Sequence, residues 1–142
     1  MAQNFYSELY FHFVWRTKDR ARLILPEFEK AVWLHIKDRC VKYGGIPLEV
    51  GGIEDHVHML VGGPPTLLLS EFIGKVKGAS SHDINASRII RSRFAWGEGY
   101  GVLSLAKRDV PGVRSYIRRQ RAHHTAGTAN ATMERIEPDG LG

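Results

Sequence analysis

The sequence predicts an α+β fold, an antiparallel sheet laid down in the order β-α-β-β-α-β with one further helix at its C-terminal end. Three observations carry this. Short runs rich in aromatic and β-branched residues alternate with longer stretches of helical apolar spacing. Glycine and proline pairs punctuate the boundaries between them. The 142 residues, 43% hydrophobic and 25% charged, suit a single domain with its own core.

Tyr6 to Trp15 reads as the first strand, and the charged stretch Thr17 to Arg22 as the turn that leaves it. Pro26 opens a helical pattern in which Phe28, Val32, Ile36 and Cys40 recur on one face, and Gly44-Gly45 ends it. Ile46 to Ile53 is a second strand, Glu54-Asp55 a tight turn, and His56 to Val61 a third strand. Gly62-Gly63-Pro64-Pro65 breaks the chain, and Thr66 begins a second helix with Leu68, Leu69, Phe72, Ile73 and Val76 as its apolar face. Ser80 to Trp96 fits either a loop or a broken helix. Gly97, Gly99 and Gly101 lead into a fourth strand, Val102 to Leu105. Asp109 is placed to cap a last helix through His123, with Pro111 in its first turn, where a missing N–H costs little. The first six elements follow the split β-α-β pattern of ferredoxin-like sheets. The domain is expected over residues 1–124, and the small, polar, Gly-rich stretch 125–142 as a short flexible tail.

Bulk properties narrow the function. No stretch approaches the roughly 18 to 20 apolar residues of a membrane span, so no membrane partner is expected. A lone cysteine, Cys40, cannot form an internal disulfide, and a reducing cytoplasm is the expected location. The net charge of +5 and the pI near 9.6 permit a polyanionic partner without requiring one. The basic residues fall in groups: Arg16, Lys18, Arg20 and Arg22; Lys75 and Lys77; Arg88, Arg91 and Arg93; Arg114, Arg118, Arg119 and Arg121. Any one group alone reads as a solvated face.

Chemistry concentrates in two places. On a strand, residues two apart share a face, so His56 and His58 project together while Val57 and Met59 turn to the core. Two imidazoles so placed suit a divalent cation, and equally suit an exposed pair or a hydrogen-bonded pair in a core. Asp55 is positioned either to bond a ligand histidine or simply to form the turn. On the last helix, Tyr116 and Gln120 are four residues apart and share a face. An amide oxygen suits a hard cation such as Mg²⁺ or Mn²⁺, although a core tyrosine beside a surface glutamine has the same spacing.

Four ordered stretches carry a family resemblance: Tyr10-Phe11-His12-Phe13-Val14-Trp15-Arg16-Thr17-Lys18; Asp55-His56-Val57-His58-Met59-Leu60-Val61; Phe94 and Trp96 followed by Gly99-Tyr100-Gly101; and Val113 through Tyr116-Ile117 to Gln120, ending in His123-His124. With these the chain resembles the small single-tyrosine transposases of the IS200/IS605 type, within the His-hydrophobe-His single-strand endonucleases. The resemblance implies that the C-terminal helix carries a catalytic tyrosine, Tyr116, that attacks single-stranded DNA and forms a 5′-phosphotyrosine. It implies His56, His58 and Gln120 as ligands of Mg²⁺ or Mn²⁺, and no nucleotide cofactor. It further implies DNA hairpins at element ends as substrate and a homodimer as the working form. Arg16, Lys18, Lys75, Lys77, Arg114, Arg118 and Arg121 are the candidate DNA contacts, and Asp55 the candidate support for a ligand histidine. A relative that binds structured single-stranded DNA or RNA without strand transfer is the alternative.

Overall fold

A computed structural model describes residues 4–138. The sheet contains β1 (Tyr10–Arg16), β2 (Ile46–Ile53), β3 (His56–Gly62) and β4 (Gly101–Leu105). The helices are α1 (Glu29–Lys42), α2 (Leu69–Ser87), α3 (Val110–Arg118) and α4 (Gln120–Ala126). Strand order is β2-β3-β1-β4, and every neighbouring pair is antiparallel. This is the α+β arrangement expected from the element order, with the C-terminal helices added. Among the described residues, no helix is long and apolar enough to cross a membrane.

Alternation along the central strands divides the molecule into two faces. Phe13 and Trp15 of β1, with Val57, Met59 and Val61 of β3, join Val32, Ile36, Phe72, Ile73 and Val76 of α1 and α2 in the main core. Each such side chain, fully removed from water, contributes roughly 1.5 to 3 kcal/mol. Leu60 points the other way and packs with Val113 and Ile117 of α3. With helices on both faces, every residue of β3 is buried. His56 and His58 are therefore interior residues on the α3 side.

Several boundaries differ from those expected. β1 begins at Tyr10 rather than Tyr6, which is 82% exposed and has no strand to pair with. α1 starts at Glu29, because Pro26 and its neighbours form a turn instead of a first helical turn. α2 starts at Leu69, after a turn closed by the Leu67 N–H on the Pro64 carbonyl, rather than at Thr66. It then runs unbroken to Ser87, because Ser80 and Ile84 extend the buried stripe of Phe72, Ile73 and Val76. Arg88, in the left-handed region at φ 58°, stops it. Phe94 and Trp96 beyond this point are anchored to α2 by Asn85, which bonds both the N–H and the carbonyl of Phe94, and by Ser80, which accepts from the Trp96 indole.

The largest difference lies at the C-terminal end. One helix from Asp109 to His123 was expected, and two are found. Asp109 occupies the position before α3 but makes no side-chain capping bond, and a short 3₁₀ turn, Lys107–Asp109, precedes it. Arg119 leaves helical geometry at φ −104°, ψ 25°, with its N–H shared between the Ser115 and Tyr116 carbonyls, and α4 restarts at Gln120. Gly127, at φ 72°, closes α4 beyond residue 124, and residues 128–138 return toward the sheet.

Candidate active site

The site lies on the α3 face of the sheet, over β3. The β2–β3 turn fixes its floor: the Asp55 carbonyl accepts from the Thr17 N–H at 2.9 Å and from its hydroxyl at 3.1 Å, tying the turn to the end of β1. The Asp55 carboxylate accepts from His56 Nδ1–H at 2.8 Å. His58 Nδ1 lies 2.8 Å from Nε2 of His12, a buried β1 residue whose ring stacks on it at 5.0 Å. With both Nδ1 atoms engaged, both Nε2 atoms face the C-terminal helices.

α3 sits close enough to meet them because β2 carries Gly51, opposite His58 in the sheet. A Cβ at residue 51 would stand 2.7 Å from the Ile117 carbonyl oxygen. Gln120 Oε1 lies 2.9 Å from His56 Nε2 and 3.1 Å from His124 Nε2. The Tyr116 ring meets His58 edge-on at 5.9 Å. The four residues expected to converge, His56, His58, Tyr116 and Gln120, do converge. The break at Arg119 means that Tyr116 and Gln120 reach the site from two helices rather than from one continuous face.

Two further residues join them. Glu134 places Oε1 3.0 Å from Nε2 of His56, 3.0 Å from Nε2 of His58 and 3.3 Å from Nε2 of His124. Its Oε2 accepts from the Tyr116 hydroxyl and, at 3.3 Å, from the Gln120 amide. His124 was legible in principle, four residues beyond Gln120 as Gln120 is beyond Tyr116. Glu134 carries no such signal: it is one acid in an irregular segment brought in by the turn after α4.

The electrostatics follow from this packing. Burial works against the charged form of His56, but Asp55, Glu134 and Gln120 outweigh it and hold the imidazole up at about 9. His58, more deeply buried, is pushed down by desolvation despite Glu134. His12 falls to about 3 through burial and the neighbouring His58. Burial alone would raise Glu134, yet the hydrogen bonds from His56 and His58 bring its carboxyl well below the usual range. Tyr116 is raised to about 12, first by burial and then by Glu134.

The donor set fits a hard divalent cation. The imidazole Nε2 atoms stand 2.9 to 3.3 Å from the amide and carboxylate oxygens they face, and the ligand atoms of His56, His124 and Glu134 all lie within 4.8 Å of one another. Adjacent ligands of an octahedral ion with bonds of about 2.1 Å are about 3.0 Å apart. A cavity of about 190 Å³, lined by Arg16, Arg20, Asp55, His56, His124 and Glu134, opens beside the cluster.

Of the candidate DNA contacts, Arg16 lines this cavity. Arg114 and Arg118 both face Glu49, at 3.6 and 2.7 Å. Arg121 pairs with Glu54 at 2.6 Å and Glu29 at 3.5 Å, and Arg16 with Glu137 at 2.6 Å. Lys77 donates to the Gly97 and Gly99 carbonyls, both at 2.8 Å, and Lys75 lies over the Tyr43 ring at 5.9 Å. Both lysines belong to α2, across the sheet from Tyr116. Lys18 is exposed in the turn after β1.

Fold and site together define a class: α+β proteins with a His-x-His pair on a central strand, facing a tyrosine on a C-terminal helix. Residues 5–120 match the family described as transposase IS200-like, and the chain belongs to that family of DNA-processing enzymes. The transposase for insertion sequence element IS200 of Salmonella typhimurium is 30% identical over 115 residues, covering 78% of this chain and 75% of that protein. The ISDra2 transposase TnpA of Deinococcus radiodurans is 21% identical over 124 residues, covering 84% and 89%. A candidate transposase from Deinococcus radiodurans R1 has a solved structure that superposes with a TM-score of 0.67 at 22% identity, covering 84% of this chain and 96% of that one. A REP-associated tyrosine transposase, solved bound to a REP hairpin, gives a TM-score of 0.60 at 12% identity, covering 91% and 75%. At these identities the two structures share the fold.

Proposed function

We propose that this transposase cleaves and rejoins single-stranded DNA beside hairpins, with Tyr116 as nucleophile and a divalent cation held by His56, His58 and Gln120. The observation that carries the reading is convergence: the Tyr116 hydroxyl, the Gln120 side chain and both histidines meet in one hydrogen-bonded cluster, in a chain of this family. Mg²⁺ or Mn²⁺ bound there would polarise a phosphate oxygen.

The chain's own residues do the rest. Asp55 and His12 fix the two imidazoles so that their Nε2 atoms face inward. The Asn130 N–H donates to Tyr116 Oη at 2.8 Å and Glu134 accepts its proton, so the phenol is oriented from two sides. In the attack a bond forms between Oη and phosphorus, and the bond from phosphorus to the 3′ oxygen breaks. The phenolic proton is released to solvent, and the departing oxygen takes up a proton from solvent as a free 3′-OH. The phosphotyrosine conserves the bond energy, so a later 3′-OH reseals DNA without a nucleotide cofactor. Hairpin DNA as substrate is supported by the structural neighbour solved with a REP hairpin. A homodimer remains part of the proposal through the family resemblance.

Covalent trapping tests it. Labelled single-stranded hairpins with randomised flanks are incubated with Mg²⁺, Mn²⁺ or EDTA and resolved on denaturing gels. A metal-dependent protein–DNA band is expected, reduced by at least about 1000-fold in Tyr116→Phe, which lacks the nucleophilic oxygen. Cleavage that survives this substitution would sink the tyrosine mechanism.

A further inference from the structure

We infer that Glu134, carried by the segment after α4, is a ligand and positioning residue of the metal centre, coupling the ion to the tyrosine. This rests on the metal reading of the site given above.

Placement is the first argument. Glu134 Oε1 lies near Nε2 of three histidines at once, at 3.0, 3.0 and 3.3 Å. Asp55 sits on the opposite nitrogen of His56, so Glu134 is the carboxylate on the inward side. The second argument is charge. Two imidazoles and an amide oxygen leave a divalent ion with its whole charge, whereas Mg²⁺ and Mn²⁺ sites favour anionic oxygen. Glu134 is the acid whose position supplies it, and its side chain is only 18% exposed.

Both carboxylate oxygens of Glu134 are used, and differently. Oε1 faces the histidines while Oε2 holds the Tyr116 hydroxyl and the Gln120 amide. One rigid group thus fixes the distance between ion site and nucleophile. The segment is built to hold it. The Asn130 side chain accepts from the N–H groups of Thr132 and Met133, and the Glu134 N–H donates to the Asn130 carbonyl at 3.0 Å. On β4, Gly101 leaves room for the Arg135 carbonyl, which occupies the space a Cβ would take.

Mn²⁺ binding to the full chain, read by electron paramagnetic resonance, and the visible spectrum of the Co²⁺-loaded protein provide the test without DNA. Glu134→Gln is expected to weaken Mn²⁺ binding at least about tenfold and alter the Co²⁺ spectrum, with Glu134→Asp recovering part of both. His56→Ala should abolish specific binding. Circular dichroism checks that each variant is folded. Native Mn²⁺ affinity in folded Glu134→Gln, with His56→Ala inactive in binding, would overturn this inference and leave the metal reading standing. Tighter binding together with more covalent DNA adduct would overturn it differently, making Glu134 a plug in the phosphate's place. Absence of Mn²⁺ binding by the native protein would overturn both readings.

Discussion

At the residue scale, position decides what a side chain can do. His56 and His58 were legible because strand alternation puts both on one face whatever the details of packing. Their supports were only half legible. Asp55 precedes a histidine and could be suspected, whereas His12, 46 positions from His58 in the chain, reaches it only diagonally across the β1–β3 register, in which its direct partner is Leu60. Glu134 was invisible for the same reason in a stronger form, since no periodicity connects an irregular segment to a strand. Ion pairs away from the site obey simpler rules. Asp83 of α2 accepts two hydrogen bonds from Arg39 of α1, at 2.5 and 2.7 Å, and this holds its carboxyl below the usual range. A depressed carboxyl stabilises the fold above its unfolded value, and the contribution is lost as pH falls through the folded value. Asp83→Asn is therefore expected to melt below the native protein at pH 7. The gap should narrow as pH drops below about 4, where the unfolded carboxyl begins to protonate, and vanish below the depressed native value. Thermal melts of both proteins from pH 3 to 8 check this, and a gap constant across the range would refute it.

At the element scale, β2 and β3 matched their sequence patterns, and the C-terminal helix did not. The pattern from 109 to 123 satisfies one helix locally, but docking against two different partners divides it. Val113 and Ile117 pack on Leu60, while Gln120 turns inward to His56 and His124. Tertiary contact, not propensity, places the break at Arg119. The approach of α3 depends on the missing side chain at Gly51, so Gly51→Ala forces a methyl against the Ile117 backbone. The expected cost is about 1 to 3 kcal/mol in urea unfolding. Covalent adduct should fall more than stability does, because Tyr116 is carried off its position over His58. A stability and an adduct yield both within error of native would show that α3 is not seated by that contact.

At the scale of the whole molecule, the ferredoxin-like sheet order was recoverable from element order alone, because antiparallel neighbours and short connections leave few alternatives. The charge distribution was not. The arginines expected to hold DNA, Arg114, Arg118 and Arg121, are engaged by Glu49, Glu54 and Glu29, partners fixed only by folding. A groove of about 610 Å³ beside Tyr116 is instead lined by Arg108 and Arg119, together with His123 and Met133. If DNA lies in this groove, Arg108→Ala with Arg119→Ala should weaken hairpin binding and reduce the salt dependence of log Kd by about 2. Fluorescence anisotropy from 50 to 300 mM salt measures it. An unchanged slope would move the binding face elsewhere.

The break at Arg119 also separates the cargo carrier from the anchor. On the proposed mechanism, a tyrosine joined to a DNA strand would have to give way to the incoming 3′ end without scattering the groups that activate the phosphate. Were residues 110 to 126 one rod, any recoil of the loaded tyrosine would drag Gln120 and His124 from their partners on β3. The joint at Arg119 instead gives the two helices separate anchors, α3 through Val113 and Ile117 on Leu60 and α4 through Gln120 on His56.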